Sequence, residues 1–470
     1  MEVIADLHLH SKYSRAVSQQ MVVSQIAFWA AKKGINLVGT ADWTHPLWLR
    51  ELKESLEEAG EGIYKLKSKI PNSKFQTNSK FQTNSKFQKE KSVCFLLATE
   101  IASIYSQGGK VRRIHNLVLA PSFAVVEKIN EKLRHFGVNL LADGRPTTGL
   151  SCPQLCELIF SVDKDCLVIP AHAWTPWFSL YGANSGFDSI EECFGKYAEQ
   201  IYAIETGLSS DPAMNWRIKE LDKRAVVSFS DAHSPQKLGR EATVLKIQNP
   251  KSKIQNYNLK FKINYSDIIG AIKWDLNSPL KIAYTIEFYP EEGKYHYTGH
   301  RNCGVRQSPE ETRRLGETCP VCGKRLTVGV MHRVEKLAGR NVKCQITNDK
   351  LKTHWIKNET QPNRPPYVML VPLMEILAEA MNTSISSQNV LNEYNKLTEI
   401  FGSEFGVLLK TSLEEIAKIS GKRVAEGIEK VRRGEIVVEP GYDGVFGTVK
   451  IWPESKDVAK VEEQGQMSLF

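Results

Sequence analysis

Residues 3–10 read VIADLHLH, an apolar run with a β-branched start that closes on two histidines one residue apart. Side chains alternate across a strand with a period of two, so His8 and His10 fall on one face of it. Two neighbouring imidazoles are half of a metal site. What sets them apart from ordinary strand histidines is recurrence. Asp42 and His45 follow INLVGTA, Glu100 follows FLLAT, His172 follows LVIPA, Glu205 follows IYAI, and Asp231 with His233 follow VVSFS.

These runs alternate with helical patterns around Gln20 to Lys33, Leu47 to Glu58, Ser122 to Phe136 and Asp211 to Leu221, which predicts an α/β fold. About seven strands suit a barrel, and the C-terminal ends of barrel strands share the rim where loops assemble active sites. His115 opens a run instead of closing one. Gly108 and Gly109 in EIASIYSQGGKVRRIHNLVLA account for this, because they turn a hairpin whose returning strand begins at the rim where its partner ended.

Imidazole with carboxylate suits Zn²⁺, Mn²⁺ or iron better than Mg²⁺ or Ca²⁺, which prefer all-oxygen shells. His8, His10, Glu100, His115, His172, Asp231 and His233 exceed what one ion uses. Roughly two or three ions are therefore expected, with Glu100 and Asp231 as bridges, since ions about 3.5–4 Å apart perform two-metal phosphoryl hydrolysis.

In order, DLHLH, GTADWTH, ATE, RIHN, PAHAW and SDAH resemble the motifs of the polymerase and histidinol phosphatase (PHP) superfamily, over residues 1–290. The resemblance implies a distorted (β/α)₇ barrel with a trinuclear site of divalent ions (Zn²⁺, Mn²⁺ or Mg²⁺) that hydrolyses phosphoesters. It assigns His8, His10, Glu100 and Asp231 to one ion, Glu100, His115 and His172 to a second, and His233 to a third. The sequence departs from the family at the third site. HSKYSRA offers Ser11, Ser14 and Arg15 where many relatives have a histidine or aspartate, and Trp43 stands where many have a histidine, so either Asp42 or His45 substitutes or the third site is weak or empty. Asp231 and His233 are the expected catalytic residues, with Asp231 or a bridging hydroxide accepting the proton, and Arg15 and Arg240 are expected to neutralise phosphate charge.

A second metal motif lies in YHYTGHRNCGVRQSPEETRRLGETCPVCGK. His300 and Cys303 are two residues apart, as are Cys319 and Cys322, with fifteen residues between the pairs, the spacing of one structural Zn²⁺. His296 or His332 are alternatives to His300. Arg301, Arg306, Arg313, Arg314, Lys324 and Arg325 decorate this stretch, a density suited to phosphates. Further on, IAKISGKRVAEGI resembles a helix-hairpin-helix, with Gly421 in the turn followed by Lys422 and Arg423.

The chain has 470 residues, a formal charge of +9 and nine cysteines without a disulfide-like framework. Reduced thiols, a polyanionic partner and several domains follow. No apolar run approaches the roughly 20 residues of a membrane span and no export signal stands at the start, so a cytoplasmic, nucleoid-associated monomer is expected. The expected organisation is a barrel over 1–289 with an NSKFQT-repeat insertion at 72–90, a zinc module at 290–345, a helical region at 346–435 and a flexible tail at 436–470.

Taken together these parts resemble the endonuclease Q family of repair nucleases. The resemblance implies cleavage 5′ to deaminated bases (hypoxanthine, uracil, xanthine) or abasic sites, leaving 3′-hydroxyl and 5′-phosphate ends. Within HAWTPWFSLYG, Trp174, Trp177, Phe178 and Tyr181 are candidates to stack an extruded base. A small-molecule phosphomonoesterase and a 3′–5′ exonuclease are the alternatives on the same barrel. The residues beyond 289 count against the first. Finally, QMSLF at 466–470 resembles the QL[SD]LF peptide by which bacterial repair proteins dock on the β sliding clamp, through Gln466, Met467, Leu469 and Phe470, with PCNA the alternative clamp.

Overall fold

The computed structural model describes residues 2–68, 93–248 and 263–453. The NSKFQT repeat, the segment around 250 and the QMSLF peptide lie outside the described residues. Two compact units make up the chain: Met1–Ala173, Trp177–Gly207 and Lys223–Ala283 form the first, and Trp174–Pro176, Leu208–Asp222 and Tyr284–Phe470 the second.

The first unit is built on β1 (Glu2–Asp6), β2 (Leu37–Gly39), β3 (Leu56–Gly60), β4 (Ile63–Leu66), β5 (Cys94–Gln107), β6 (Lys110–Ala120), β7 (Thr147–Thr148), β8 (Leu167–Pro170), β9 (Ala203–Glu205), β10 (Ala225–Val227) and β11 (Ala242–Ile247). β1 lies between antiparallel β11 and parallel β2, and β2 continues to parallel β5. β5 and β6 form the hairpin predicted from Gly108 and Gly109, in register from Leu97↔Ala120 to Gln107↔Lys110, and β6 pairs antiparallel with β8. β9 and β10 form a separate parallel pair. The helix predicted to reach Glu58 ends at Ser55, and the chain continues as β3.

Period-two alternation sets the core. Val3, Ala5 and Leu7, Leu96 and Ala98, Leu117 and Leu119, Leu167 and Ile169, and Ala225, Val227 and Phe229 are all buried in one cluster. Each large aliphatic side chain buried there contributes about 1.5–3 kcal/mol. The helix Tyr265–Ile272 adds Ile268, Ile269 and Ile272 to the same cluster. Its Tyr265 hydroxyl donates to the carbonyls of Leu119, near the end of β6, and Asp165, just before β8. Because β6 runs opposite to β5, that helix closes the end of the core away from Glu100 and His115. The opposite rim is left for chemistry.

In the second unit Thr298–His300 pairs with Val305–Gln307, and Cys344–Asn348 with His354–Asn358. Five helices follow: Leu373–Ala380, Gln388–Ile400, Glu404–Lys410, Leu413–Ser420 and Lys422–Arg432. Glu404 joins three of them, accepting from the Leu373 N–H at 3.0 Å and the Tyr394 hydroxyl at 2.9 Å. Buried Arg432 donates to the carbonyls of Val407, Leu408 and Thr411, satisfying the end of the Glu404–Lys410 helix. Gly421 alone joins the last two helices, at φ 84°. Part of the predicted flexible tail is instead a hairpin, Val437–Glu439 with Thr448–Lys450, followed by buried Ile451. Trp452 then anchors it, donating to Glu426 at 2.8 Å beneath the Arg423 guanidinium. No described helix is long and apolar enough to cross a membrane.

Candidate metal centre

His8 and His10 lie just beyond β1, not within it, where Leu9 bridges to Ala232 and the His10 N–H donates to the Ala232 carbonyl at 3.1 Å. That pairing sets the HxH segment alongside Asp231 and His233. Glu100 and His115 continue the inward-facing register of β5 and β6 into the rim. Three rim residues, Asp42, His172 and Asp231, have φ of 30°, 30° and 47°. A left-handed backbone at a non-glycine residue costs about 1–3 kcal/mol, and such strain collects at functional sites. Gly207 makes room for one of them, since a side chain there would place its Cβ 2.3 Å from the His172 Cβ.

Three groups of side chains meet the spacing of a metal site: His8, His10 and Glu100; Glu100, His115 and His172; and His10, Asp231 and His233. His8 Nε2 lies 3.7 Å from Glu100 and 3.6 Å from Asp231, while His10 Nε2 lies 3.6 Å and 3.0 Å from the same carboxylates. Donor atoms about 2.0–2.2 Å from one ion stand about 3–3.6 Å from each other. The Glu100 Oε1 atom lies 2.7 Å from His115 Nδ1 and 2.9 Å from His172 Nε2. His8 Nε2, His10 Nε2 and Asp231 Oδ1 are buried without a well-aligned hydrogen bond. Converging buried imidazole nitrogens and carboxylate oxygens of this kind suit a divalent cation in place of the imidazole protons.

The charges of the protein's own groups are arranged around those carboxylates. Burial works against the His8 and His10 imidazolium ions, but Glu205 and Asp231 hold His8 up at about 9, and Asp231 and Asp42 hold His10 up at about 10. His115 is pushed down to about 4 by burial, with Glu100 opposing. Glu100 and Asp231 stay well below the usual carboxylate range despite burial, through His115 and His172 for the first and His8 and His10 for the second. The side chains of Asp231 and His233 are 25% and 38% exposed whereas His8, His10 and Glu100 are sealed. The open face of the cluster is therefore the Asp231 and His233 side.

Two predicted ligands take other roles. Asp42 lies in none of the three groups because its oxygens are used: Oδ1 meets His10 Nδ1 at 3.1 Å, and Oδ2 accepts from the Ser11 N–H at 2.6 Å and the Ser14 hydroxyl at 2.8 Å. It holds the His10 ring instead of facing the cluster. His45 stacks on Tyr13 with ring centroids 4.4 Å apart, outside the cluster. Arg15, 80% exposed, turns to Asp143 at 3.5 Å. Arg240 is half-buried beside Gly239, whose N–H binds Asp6.

Two further residues belong to the site without a sequence motif to announce them. Glu205 stands at a strand end, where its position alone assigns it no role. Both of its oxygens lie 2.9 Å from His8 Nδ1, and Oε2 also accepts the His172 N–H at 2.8 Å. Arg145, in an ADGRP stretch with no recognisable motif, reaches Glu100 Oε2 at 3.1 Å. The aromatic candidates divide. Trp174 and Tyr181 are fully buried, and the Trp174 indole donates to Asn215 at 2.7 Å, so neither offers a face to a ligand. Trp177 and Phe178 are half-buried, and the Phe178 ring packs 4.7 Å from His115.

In the second unit His300, Cys303, Cys319 and Cys322 converge. Cys322 Sγ stands 3.4 Å from His300 Nδ1, close to the ~3.6 Å of an S and an N ligand on one tetrahedral Zn²⁺. Burial alone would raise the Cys319 thiol, yet the N–H groups of Cys322 and Val321 draw it down to about 6. His296 is buried against Tyr297 and His332 faces the Pro309 carbonyl, so neither joins the group. All six basic residues of this stretch are exposed, although Arg313 pairs with Glu335 and Arg325 with Glu317.

Residues 372–435 match the MJ0043 C-terminal domain family. The chain is 32% identical over 285 residues to the uncharacterized protein MJ0043 of Methanocaldococcus jannaschii, a match that covers 60% of this chain and 32% of that longer relative. The crystal structure of the lesion-specific endonuclease PfuEndoQ from Pyrococcus furiosus is similar over 98% of this chain and 99% of its own, at 30% identity and a TM-score of 0.74. A structure of endonuclease Q in complex with a 27-mer duplex substrate carrying an abasic lesion at the active site is similar over 97% of both chains, at 31% identity and a TM-score of 0.75. At that identity, and over almost the full length of both chains, the protein belongs to the endonuclease Q family.

Proposed function

We propose that this protein is a metal-dependent endodeoxyribonuclease that hydrolyses the phosphodiester 5′ to a deaminated base or abasic site in DNA, leaving 3′-hydroxyl and 5′-phosphate ends. The observation that carries the reading is the position of Glu100 between the imidazoles: Oε1 faces His115 and His172, with His8 further off at 3.7 Å, while Oε2 faces His10. One carboxylate directed at two imidazole sets is the arrangement that bridges adjacent ions.

His8, His10, Glu100 and Asp231 would hold one divalent ion, Glu100, His115 and His172 a second, and His233 with Asp231 and His10 part of a third. Zn²⁺ or Mn²⁺ suits these ligands better than Mg²⁺. When bound, such ions supply a water acidified toward neutral pH and neutralise charge on the phosphoryl group. The chain's own part is to aim the ligands and take the proton. Glu205 and Asp42 would fix which imidazole nitrogens face the cluster, and Asp231, part-exposed on the open side, would accept a proton from attacking water.

We infer that the four-ligand group in the second unit holds a structural Zn²⁺, which with no open position fixes a basic surface for DNA phosphates. Trp177 and Phe178 remain the candidates to stack an extruded base. Residues 466–470 would tether the enzyme to the β sliding clamp, and so to the nucleoid. The deciding experiment incubates the protein with duplexes carrying hypoxanthine, uracil, xanthine or an abasic site, with Mg²⁺, Mn²⁺ or Zn²⁺, and maps the cut. A single nick 5′ to the lesion is expected. A ladder from the 3′ end would instead establish an exonuclease.

A further inference from the structure

Resting on that nuclease reading, we propose that Arg145 is a catalytic residue that holds the scissile phosphate once divalent ions occupy the rim. Its guanidinium Nη1 lies 3.1 Å from Glu100 Oε2, the oxygen that also faces His10 Nε2 at 3.6 Å. The side chain is 24% exposed while Glu100 is sealed, so Arg145 reaches from solvent to the buried carboxylate.

The segment carrying it is held in place from several directions. The Gly144 N–H donates to the Tyr13 carbonyl at 3.0 Å, the Thr44 hydroxyl donates to the Gly144 carbonyl at 3.0 Å, and the Ala102 N–H donates to the Pro146 carbonyl at 2.9 Å. The Arg145 N–H donates to Asp143 at 3.1 Å. A Cβ on Gly144 would sit 2.4 Å from Asp42 Oδ2, so this strap packs directly on the residue that orients His10. Such anchoring preorganises a side chain for the site more than for solvent.

A divalent cation held by His8, His10 and Glu100 would repel the guanidinium from their shared oxygen. Arg145 would then be free to offer its donors to a phosphate, and its planar fork suits two phosphate oxygens. No covalent step is added.

The test measures single-turnover nicking of an abasic duplex by the full chain and by Arg145→Ala and Arg145→Lys, with Mn²⁺ affinity and metal-free DNA binding measured in parallel. Loss of one preorganised donor lowers the rate on the order of 10²–10³-fold. Arg145→Ala is expected to fall in that range with DNA affinity changed less than about threefold, Mn²⁺ affinity unchanged or higher, and partial rescue by millimolar guanidinium. Rescue distinguishes a group that touches substrate from one that only supports the fold. Nicking at the wild-type rate by Arg145→Ala, or a loss of rate accompanied by loss of Mn²⁺ affinity and without guanidinium rescue, overturns the role of Arg145 alone. Failure of the wild-type chain to nick any lesion overturns the nuclease reading, and this role with it.

Discussion

Glu205 sits with both carboxylate oxygens 2.9 Å from Nδ1 of His8, a contact between residues 197 positions apart in the chain. Engagement of Nδ1 leaves Nε2 as the ligand atom, which is the usual role of a carboxylate behind a metal-binding histidine. Glu205→Gln keeps the shape and removes the charge. It is expected to weaken Mn²⁺ or Zn²⁺ binding about 10–100-fold with an unaltered circular dichroism spectrum. Wild-type affinity measured by calorimetry would leave Glu205 a purely structural residue.

Metal uptake is expected to release protons. His8 and His10 are held up at about 9 and about 10 in the metal-free site, so at neutral pH each carries a proton that a ligand nitrogen must lose. Apparent affinity should therefore rise with pH, by up to about a hundredfold per unit for two displaced protons, until the pH nears those values. Titrations in buffers of different ionisation heat count the protons. For the metal-free fold the sign is reversed. The imidazolium contribution to stability is fully present below about pH 6.5, the ordinary histidine value, and is lost as pH rises through 9 to 10.

Cys322→Ser is expected to lose one equivalent of zinc by elemental analysis, because the group has four ligands and no spare among the described residues. Zinc binding contributes about 10–16 kcal/mol in small zinc-finger peptides, so the second unit should melt at a much lower temperature. The rim cluster uses none of these residues, and its Mn²⁺ binding should persist. Unchanged zinc content and melting would refute the assignment.

Removal of residues 466–470 is expected to abolish capture by the β clamp while short duplexes are nicked at the full rate. A peptide of this size binds weakly alone, and its effect on long DNA comes through effective concentration. Equal clamp capture by the shortened chain would show that docking lies elsewhere.

Much of the rim is legible in the sequence because histidines and carboxylates at strand ends keep a regular spacing. HxH, the glutamate of β5 and the histidine in the middle of β6 can be aligned by the period of two and by the Gly108–Gly109 turn, and all of them meet in space, although both strands run on past them to the turn. Glu205 stands at a strand end as the ligands do, and only its distance to His8 Nδ1 separates a supporting residue from a ligand. Asp42 is misassigned for the same reason in reverse, since a sequence position does not reveal that Ser11, Ser14 and His10 already occupy its oxygens. Arg145 leaves no local signal, because its role depends on where a loop distant from Glu100 in sequence crosses the rim. For Trp174 and Tyr181, aromatic character is readable but burial is not.

The left-handed backbone at Asp42, His172 and Asp231 sets stability and chemistry against each other. Glycine would adopt those angles without penalty, so relieving the strain favours a side chain that can neither bind nor orient an ion. What keeps non-glycine residues at these strained positions is therefore the company of their side chains, since Asp231 faces His8 and His10 and Asp42 takes up Ser11, Ser14 and His10. An Asp231→Gly variant would lose metal binding and gain in backbone ease no more than it gives up in buried charge pairing.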